Sequence, residues 1–467
     1  MKKLLFSFLL TVLMIYSATA APVVSDTQFA QFDAYLSEIN QAYHIPGMAF
    51  FITDPEKTLF SRTYGQCNSI DQQFFIGSMS KSYTALGIMQ LVEKGLIDLD
   101  KDISAYLPEY KFSKKVSILA LLNHTSGFDT HMKFTDVNIT NSCGKYEYAN
   151  INYDLLGKII EKVSGLSYED YVRKNIFAPL GMSDSNANAQ KVKNSPKLLT
   201  GNRNYFGFFK QGEADYPTEK SWFHEPAGYI ATTPRDHAKY LRMYLNGGYT
   251  DNAVQIIKKE TIDSMWYENV SIGSTEYETF YGKGWNYMEY DGQKIVFHGG
   301  QVENGITYMF ILPEKKLAVC FMINANDEFV MNSLMDNAFW NSLSIIKETP
   351  VKKVHHASYV IQHIIFDFIY LLIFLLSLFV LLEAIKAKPD STDKPKVKSI
   401  VLHIIGCLIW PVFLLTFSKI LIDTPLWTIK SFVPDLYCVI LSSSLLAITG
   451  GLVRAAKYLF FLKCYDK

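Results

Sequence analysis

The chain has 467 residues, of which 49% are hydrophobic, and a mean hydropathy of +0.06, which is high for a purely soluble protein. Its 45 Lys and Arg residues balance 45 Asp and Glu residues, so no excess positive charge indicates a nucleic-acid partner. The six cysteines form neither a C-x-x-C pair nor a Cys/His spacing suited to zinc, and we expect no metal and no cofactor.

The N-terminus has the three-part form of an export signal. Two lysines precede an apolar run over residues 4–16, and small residues at 18–20 supply a cleavage site. The sequence therefore predicts a signal peptide over residues 1–20 and a mature chain that begins at Ala21. A retained N-terminal anchor is the alternative, although the apolar run is short for a bilayer span.

Residues 21–349 have the pattern of a globular domain, with helical and strand segments separated by Gly and Pro. Helical patterns lie at 75–95, 153–163, 168–177, 236–245 and 327–346, and strand patterns at 294–297, 306–312 and 317–323. An antiparallel sheet flanked by helices, an α/β (α+β) fold, is the economical arrangement. Export would allow a disulfide between Cys67 and Cys143, which the sequence alone leaves open.

Residues 350–467 differ from the rest of the chain. Three apolar stretches have about the length of a membrane-spanning helix, at 359–382, 400–421 and 436–452. Lysines cluster between the first two and basic residues follow the third, which predicts that these segments face the cytoplasm. We therefore predict a multi-pass membrane domain with residues 21–349 on the extracytoplasmic side. His363 and Asp367 lie near the outer end of the first stretch, where a structural role is expected.

A candidate nucleophile lies at the start of the first helix predicted within the globular part. Ser78 and Lys81 form a Ser-x-x-Lys element, and this spacing puts both side chains on one face of a helix. The helix N-terminus would also supply backbone N–H groups for a developing oxyanion. Ser142, Ser344 and Ser391 share the spacing, but only Ser78 follows a glycine and opens a long amphipathic helix.

The serine hydroxyl requires a base, and an unperturbed lysine is mostly protonated at neutral pH. Burial would lower the lysine pKa, and a nearby tyrosine hydroxyl could relay the proton. The segment Tyr148-Ala149-Asn150 provides that phenol. Tyr-x-Asn also occurs at 244–246 and 267–269, but in or near helical surface patterns, so we predict Tyr148 as the partner of Ser78 and Lys81.

A third element, His298-Gly299-Gly300, follows a predicted strand and precedes Gln301. Glycines at this place would let a substrate backbone lie along the sheet edge. The N–H groups of Gln301 and Ser78 could then form an oxyanion hole. A strand-end turn with a surface histidine is the alternative for this element alone.

These three elements, in this order and at these separations, resemble those of the serine β-lactamase and penicillin-binding-protein superfamily, and in particular its class C and D-peptidase branch. Further segments that resemble this branch are Leu121–Gly127, Asn152–Gly157, Pro179–Met182 and Pro226–Gly228. The resemblance covers roughly residues 26–346. It implies a β-lactamase-like sandwich of a five-stranded or larger antiparallel sheet flanked by helices, a helical subdomain that holds Tyr148, and a serine acyl-enzyme.

The chain departs from this family at the strand element. Class C β-lactamases carry Lys-Thr-Gly where this chain has His298, Gly299 and Gly300, so we expect weaker binding of a substrate carboxylate or a penicillin. The resemblance implies that Asn150 and His298 orient the substrate and that His124 is structural. Members with His-x-Gly include D-aminopeptidases, esterases and amidases.

The sequence thus predicts a membrane-anchored serine hydrolase that cleaves an amide or peptide bond in a small peptide-like or ester molecule. An esterase, a class C β-lactamase and a non-catalytic penicillin-binding-like cell-wall sensor are the alternatives. A smaller group of the family adds three C-terminal spans and matures exported peptide prodrugs, as the colibactin-maturing peptidase does. The architecture of this chain is similar, and a substrate with a D-residue follows from that resemblance alone.

Overall fold

A computed structural model of the protein describes residues 24–274, 277–387 and 397–465. The predicted signal peptide and most of the lysine-rich loop lie outside these residues. The described strands are β1 (Gly47–Thr53), β2 (Thr58–Gly65), β3 (Phe74–Phe75), β4 (Asn202–Tyr205), β5 (Phe208–Gln211), β6 (Ala231–Thr232), β7 (Val270–Ser274), β8 (Glu278–Gly282), β9 (Trp285–Tyr290), β10 (Gln293–Val302), β11 (Gly305–Leu312), β12 (Leu317–Ile323) and β13 (Ala325–Asn326).

The helices form the outer layers of the globular domain and the C-terminal bundle. Those described are α1 (Asp26–Ala42), α2 (Ser80–Glu93), α3 (Ile118–Leu122), α4 (Asn150–Ser164), α5 (Tyr168–Val172), α6 (Ala189–Val192), α7 (Pro234–Leu245), α8 (Lys259–Tyr267), α9 (Met331–Lys347), α10 (His356–Lys386), α11 (Val397–Ile422), α12 (Leu426–Phe432) and α13 (Pro434–Tyr465). A 3-10 turn at Gly77–Met79 leads into α2, and π-helical turns lie at Arg173–Phe177 and Glu225–Tyr229.

An antiparallel sheet forms the centre of the globular domain. Within the described residues it has eight strands in the order β2-β1-β12-β11-β10-β9-β8-β7. The terminal helices α1 and α9 cover one face, and α2, α7 and the helical subdomain cover the other. Every residue of β1 and β12 is buried, as expected for strands that contact helices on both faces. The predicted sandwich of a sheet between helices is confirmed.

The strand that carries the glycine pair is longer than the sequence predicts. We expected it to end at Phe297, but β10 continues through Val302 and pairs with β11 along that length. Glycine usually marks the end of a strand in a sequence pattern. Here Gly299 and Gly300 remain in the ladder opposite Tyr308 and Thr307, so the prediction of a strand end was wrong.

The disulfide that the sequence left open is absent, because both thiols are free. Cys67 is buried and its Sγ donates to the carbonyl oxygen of Ser69, whereas Cys143 Sγ donates to the carbonyl oxygen of Ser126 at 3.2 Å. Burial raises the pKa of Cys67 to about 11, which keeps this thiol protonated.

The C-terminal part provides two or three candidate membrane spans. By length and composition, α10 and the Pro434–Phe461 part of α13 are long and apolar enough to cross a membrane. The segment Leu408–Ile422 reaches that length only together with α12, and the two are bent by 87°. The first and third predicted stretches coincide with the long helices α10 and α13, and the second coincides with α11, of which Leu408–Ile422 together with α12 is the third candidate.

Candidate active site

The candidate nucleophile lies where the chain enters α2 against strand β10. Gly77 has φ +53°, and a Cβ at this residue would lie 2.1 Å from the backbone nitrogen of Gln301. Only glycine fits this turn, because any side chain would overlap β10. Ser78 follows, half-buried, with its backbone beside that of Gln301.

Lys81 lies one helical turn after Ser78 and is completely buried. Its Nζ lies 3.0 Å from Ser78 Oγ, 2.7 Å from Asn150 Oδ1 and 2.7 Å from the carbonyl oxygen of Ala227. Burial lowers the pKa of Lys81 to about 7, and the negative charge of Asp154 opposes this effect. A neutral amine can donate its two hydrogens to Asn150 and Ala227, which leaves its lone pair facing the Ser78 hydroxyl.

Tyr148 lies two residues before the first residue of α4 and lines the same cleft as Ser78. The Tyr148 hydroxyl faces Ser78, and Lys81 Nζ lies 4.8 Å from the centre of its ring. Burial raises the pKa of Tyr148 well above its ordinary value, while the interaction with Ser78 partly opposes that effect. The phenol therefore stays protonated and is suited to relaying a proton rather than to acting as a free phenolate.

His124 holds the segment that carries Tyr148. It is fully buried, and its Nδ1 accepts hydrogen bonds from the backbone N–H of Ala149 at 3.2 Å and from Asn152 Nδ2 at 2.9 Å. Its ring packs on the Tyr148 ring with centroids 4.4 Å apart. Burial, with smaller effects from Lys81 and His298, lowers the pKa of His124 far below the ordinary range, so this histidine is neutral.

Asn150 and His298, which the resemblance implied as substrate-orienting residues, are both buried, and His298 borders the same cleft as Ser78. Asn150 is 7% exposed and contacts Lys81 rather than open space. His298 is 3% exposed, its Nδ1 donates to the carbonyl oxygen of Gly299 at 2.5 Å, and its Nε2 lies 3.4 Å from the hydroxyl of Tyr281. Burial lowers the pKa of His298 to about 3, which leaves this ring without charge.

Strand β10 has an open edge beside the nucleophile. The neighbouring strand β9 pairs with it only as far as Phe297, so in the described part of the chain the residues from His298 to Val302 have no partner on that side. Gly300 lies against the loop before Ser78, where a Cβ would be 1.9 Å from the carbonyl oxygen of Ile76. An extended substrate could pair with this edge as an additional strand.

Sequence reasoning missed two groups that shape the site. The carbonyl of Ala227 binds Lys81, and Thr307 Oγ1 donates to the carbonyl oxygen of Ile76 at 2.8 Å, which fixes the loop before the nucleophile. Ala227 lies in Pro226–Gly228, which resembles a segment of the family, so the sequence indicated that this segment matters. It did not indicate that the carbonyl oxygen of Ala227 binds Lys81. Thr307 lies in a strand and carries no such signal.

The cleft above these groups has a volume of about 370 Å³. Its walls include Ser78, Tyr148, Gln301, Tyr308 and the exposed carboxylate of Asp336. A larger cavity of about 540 Å³ lies around Asp154 and His224 and does not include Ser78. The smaller cleft is therefore the one that brings a ligand to the candidate nucleophile.

A family model described as Beta-lactamase matches residues 32–336, which contain every residue of this site. The chain belongs to the beta-lactamase family. Members of this family of serine hydrolases include β-lactamases, penicillin-binding proteins and amidohydrolases. The predicted superfamily is therefore confirmed.

Similar proteins are found among curated sequences. Protein flp of Staphylococcus aureus (strain MRSA252) is 24% identical over 345 residues, which cover 66% of this chain and 65% of flp. The match thus spans just under two thirds of the length of that beta-lactamase-family relative. Penicillin-binding protein 4 of Amycolatopsis lactamdurans is 25% identical over 326 residues, covering 63% of this chain and 84% of that protein.

Two solved structures resemble the beta-lactamase-family fold of this chain. The octameric penicillin-binding protein homologue from Pyrococcus abyssi has a TM-score of 0.55 and 27% identity, covering 64% of this chain and 74% of that one. A D-stereospecific amidohydrolase from Streptomyces sp. has a TM-score of 0.53 and 20% identity, covering 62% and 94%. The second likeness concerns the fold alone.

Proposed function

We propose that the protein is a membrane-anchored serine hydrolase that cleaves an amide or peptide bond through an acyl-enzyme on Ser78. The observation that carries the proposal is the environment of Lys81. The neutral amine donates two hydrogen bonds, to Asn150 Oδ1 and to the carbonyl oxygen of Ala227, both buried. Its lone pair then faces Ser78 Oγ, 3.0 Å away. A lysine with a pKa of about 7 is an effective base at neutral pH.

In the proposed reaction, Lys81 accepts the Ser78 hydroxyl proton as Oγ attacks the carbonyl carbon of the substrate. The oxyanion accepts hydrogen bonds from the backbone N–H groups of Ser78 and Gln301. The carbon–nitrogen bond then breaks, and the proton passes through the Tyr148 hydroxyl to the leaving amine. Water attacks the ester in the second half and loses a proton to Lys81. The bond between the acyl carbon and Ser78 Oγ then breaks, Lys81 returns the proton to Oγ, and the acid leaves.

The proposed substrate is an amide or peptide, with a D-residue as one form to be tested. The neutral, buried His298 supplies no fixed positive charge for a substrate carboxylate, which disfavours penicillins. The D-stereospecific amidohydrolase has the same fold, and the family resemblance favours an acylated D-residue, so both chiralities belong in the test.

We propose the extracytoplasmic side for the catalytic domain and membrane anchoring through residues 350–467. The candidate spans and the signal-like residues 1–20 support this arrangement. The basic residues near the ends of α10 and α13 that lie away from the catalytic domain, Lys386 and Arg454 among them, are consistent with a cytoplasmic location of those ends.

The experiment is mass spectrometry of the full-length protein after treatment with a fluorophosphonate or a penicillin. We expect one phosphonate adduct on Ser78, slow or no penicillin adduct, and hydrolysis of D- or L-amino-acid amides or N-acyl peptides in preference to short esters. Ser78→Ala should remove the adduct. Ser142→Ala, in an exposed Ser-x-x-Lys element, should not.

Absence of any adduct and of any turnover would refute the enzyme and favour a binding protein. Preferential turnover of esters would replace the proposed amide substrate with an ester. Rapid penicillin hydrolysis would establish a β-lactamase instead.

A further inference from the structure

The turn between β4 and β5 presents an apolar tip. It consists of Phe206, Gly207 and Phe208; the Phe208 side chain is 77% exposed and Phe206 is 40% exposed. Phe206 has φ +54° and Gly207 has φ +78°, so this two-residue loop is a type I′ turn, where Asn-Gly is usual. A bulky residue in this conformation costs roughly 1–2 kcal/mol.

This tip lies against the candidate spans. The Phe206 backbone N–H donates to Asp435 Oδ2 at 3.3 Å at the start of α13, and its ring lies 6.3 Å from that of Tyr370 on α10. A Cβ at Gly207 would lie 3.3 Å from the Cβ and Cγ atoms of His363, which lies about two helical turns before Tyr370 on α10. The hairpin tip therefore lies beside α10 between His363 and Tyr370.

The free face of α10 is apolar at the same level. Ile364 is 61% exposed, Ile365 is 54% exposed and Phe368 is 58% exposed. The helix has 31 residues, or about 46 Å, and exceeds a hydrocarbon core of about 30 Å. Its outer turns can extend above the core, but the isoleucines and Phe368 can be covered only by lipid or by another protein. Phe208 follows Gly207 in the tip, and Gly207 lies beside His363, the residue before Ile364.

A second loop of the catalytic domain reaches the same level independently. Phe329, between β13 and α9, is 42% exposed, and its ring stacks on that of Phe366 with centroids 4.7 Å apart. Phe366 lies within the same stretch of α10 that contacts the hairpin tip. Two loops that are far apart in sequence therefore present phenylalanines at one height on the first candidate span.

We propose that Phe208 and Phe329 insert into the boundary between the headgroups and the acyl chains of a phospholipid bilayer. These two loops then bind the domain to the membrane surface, in addition to the attachment that the C-terminal spans provide. This proposal rests on the proposed membrane anchoring. Lipid is favoured over a second protein because the exposed phenylalanines continue the apolar surface of α10 at the level of the span.

The inserted loops are connected to the candidate active site. Glu328, next to Phe329, accepts a hydrogen bond from Gln301 Nε2 at 2.5 Å, and Asn326 Oδ1 accepts from the same nitrogen at 2.9 Å. Strand β13, which contains Asn326, also pairs with β4 of the hairpin. Insertion of these loops into the membrane would therefore fix the position of Gln301 at the edge of β10. The cleft beside Gln301 would then lie at the membrane surface.

The experiment compares two tryptophan variants of the full-length protein in phosphatidylcholine–phosphatidylglycerol nanodiscs with bromines on the upper acyl chains. Phe208→Trp places the probe at the hairpin tip. Val254→Trp is the matched control, since Val254 is also exposed, at 50%. Its loop begins at Asn246, whose Nδ2 donates to the carbonyl oxygen of Pro55, just after the C-terminal end of β1. We expect bromine to quench the added emission of Phe208→Trp by about twofold or more and to leave that of Val254→Trp unchanged.

Absence of quenching at Phe208 in a protein that resists carbonate extraction from membranes would overturn this inference while leaving the anchoring intact. Extraction by carbonate would refute the anchoring itself. If bromine does not quench the tryptophan of Phe208→Trp and its burial from water instead increases with protein concentration, a second copy of the chain covers this residue. That result would also overturn the proposal.

Discussion

The protonation state of Lys81 results from opposing effects. Burial lowers its pKa, and the charge of Asp154 raises it. Asp154 is 2% exposed and accepts a hydrogen bond from His224 Nδ1 at 3.0 Å. Burial lowers the pKa of His224, but the hydrogen bond with Asp154 and its charge outweigh burial, so the net shift is upward. A protonated His224 therefore offsets part of the pull of Asp154 on Lys81.

We predict that the rate of Ser78 labelling by a fluorophosphonate rises with pH through about 7. Lys81 must lose its proton to act as a base, so the rate should fall about tenfold per unit below its pKa of about 7 and level off above about pH 8. Asp154→Asn removes the effect that raises the Lys81 pKa and should shift this limb to lower pH. A limb near pH 10, the ordinary range of lysine, would contradict the prediction.

At the scale of elements, the site depends on close contact between the loop before α2 and strand β10. A Cβ on Gly300 would lie 1.9 Å from the Ile76 carbonyl oxygen and 2.5 Å from Thr307 Oγ1. At Gly299 the nearest atom would be 3.3 Å away on the Tyr308 ring, which can move slightly. Two adjacent glycines in one strand thus differ sharply in the space around them.

We predict that Gly300→Ala destabilises the protein by about 2 kcal/mol or more and slows Ser78 labelling at least about a hundredfold, because the backbone of one element must move. Gly299→Ala, the matched control, should change stability by less than about 1 kcal/mol. Thermal unfolding and the labelling rate check both. Equal effects of the two substitutions would show that contact with Ile76 does not shape the site.

At the scale of the whole molecule, buried contacts hold the beta-lactamase-family domain against the C-terminal helices. His363 Nε2 lies 2.7 Å from Asp327 Oδ2, with both side chains under 10% exposed. On the other side, Trp427 of α12 packs on Trp222 and beneath Lys133 of the helical subdomain. His363 therefore has the structural role expected from its position near the end of the first span.

We predict that His363→Ala loosens this junction, because it leaves the buried Asp327 carboxyl without its partner at a cost of about 1–3 kcal/mol or more. The extended linker at 349–355 should then be cleaved at least about tenfold faster by thermolysin. The control is His356→Ala, since His356 forms an exposed pair with Glu38 that contributes about 0–1 kcal/mol. Equal protection of wild type and His363→Ala would contradict the prediction.

Local patterns determined much of this protein. The spacing of Ser78 and Lys81, the helix that follows them and the apolar stretches near the C-terminus are properties of contiguous residues, so the sequence alone indicated the family and the candidate spans. The strand patterns at 294–297, 306–312 and 317–323, between helical patterns, pointed to an antiparallel sheet flanked by helices for the same reason.

Only the tertiary structure decided the contacts between distant segments. Lys81 binds the carbonyl of Ala227, 146 residues away, and the burial that lowers its pKa depends on packing from several elements. The burial of His298 and the continuation of β10 through two glycines likewise depend on neighbouring strands and helices. A sequence pattern records which residues are neighbours in the chain, whereas burial and long-range hydrogen bonds depend on what folding brings against them.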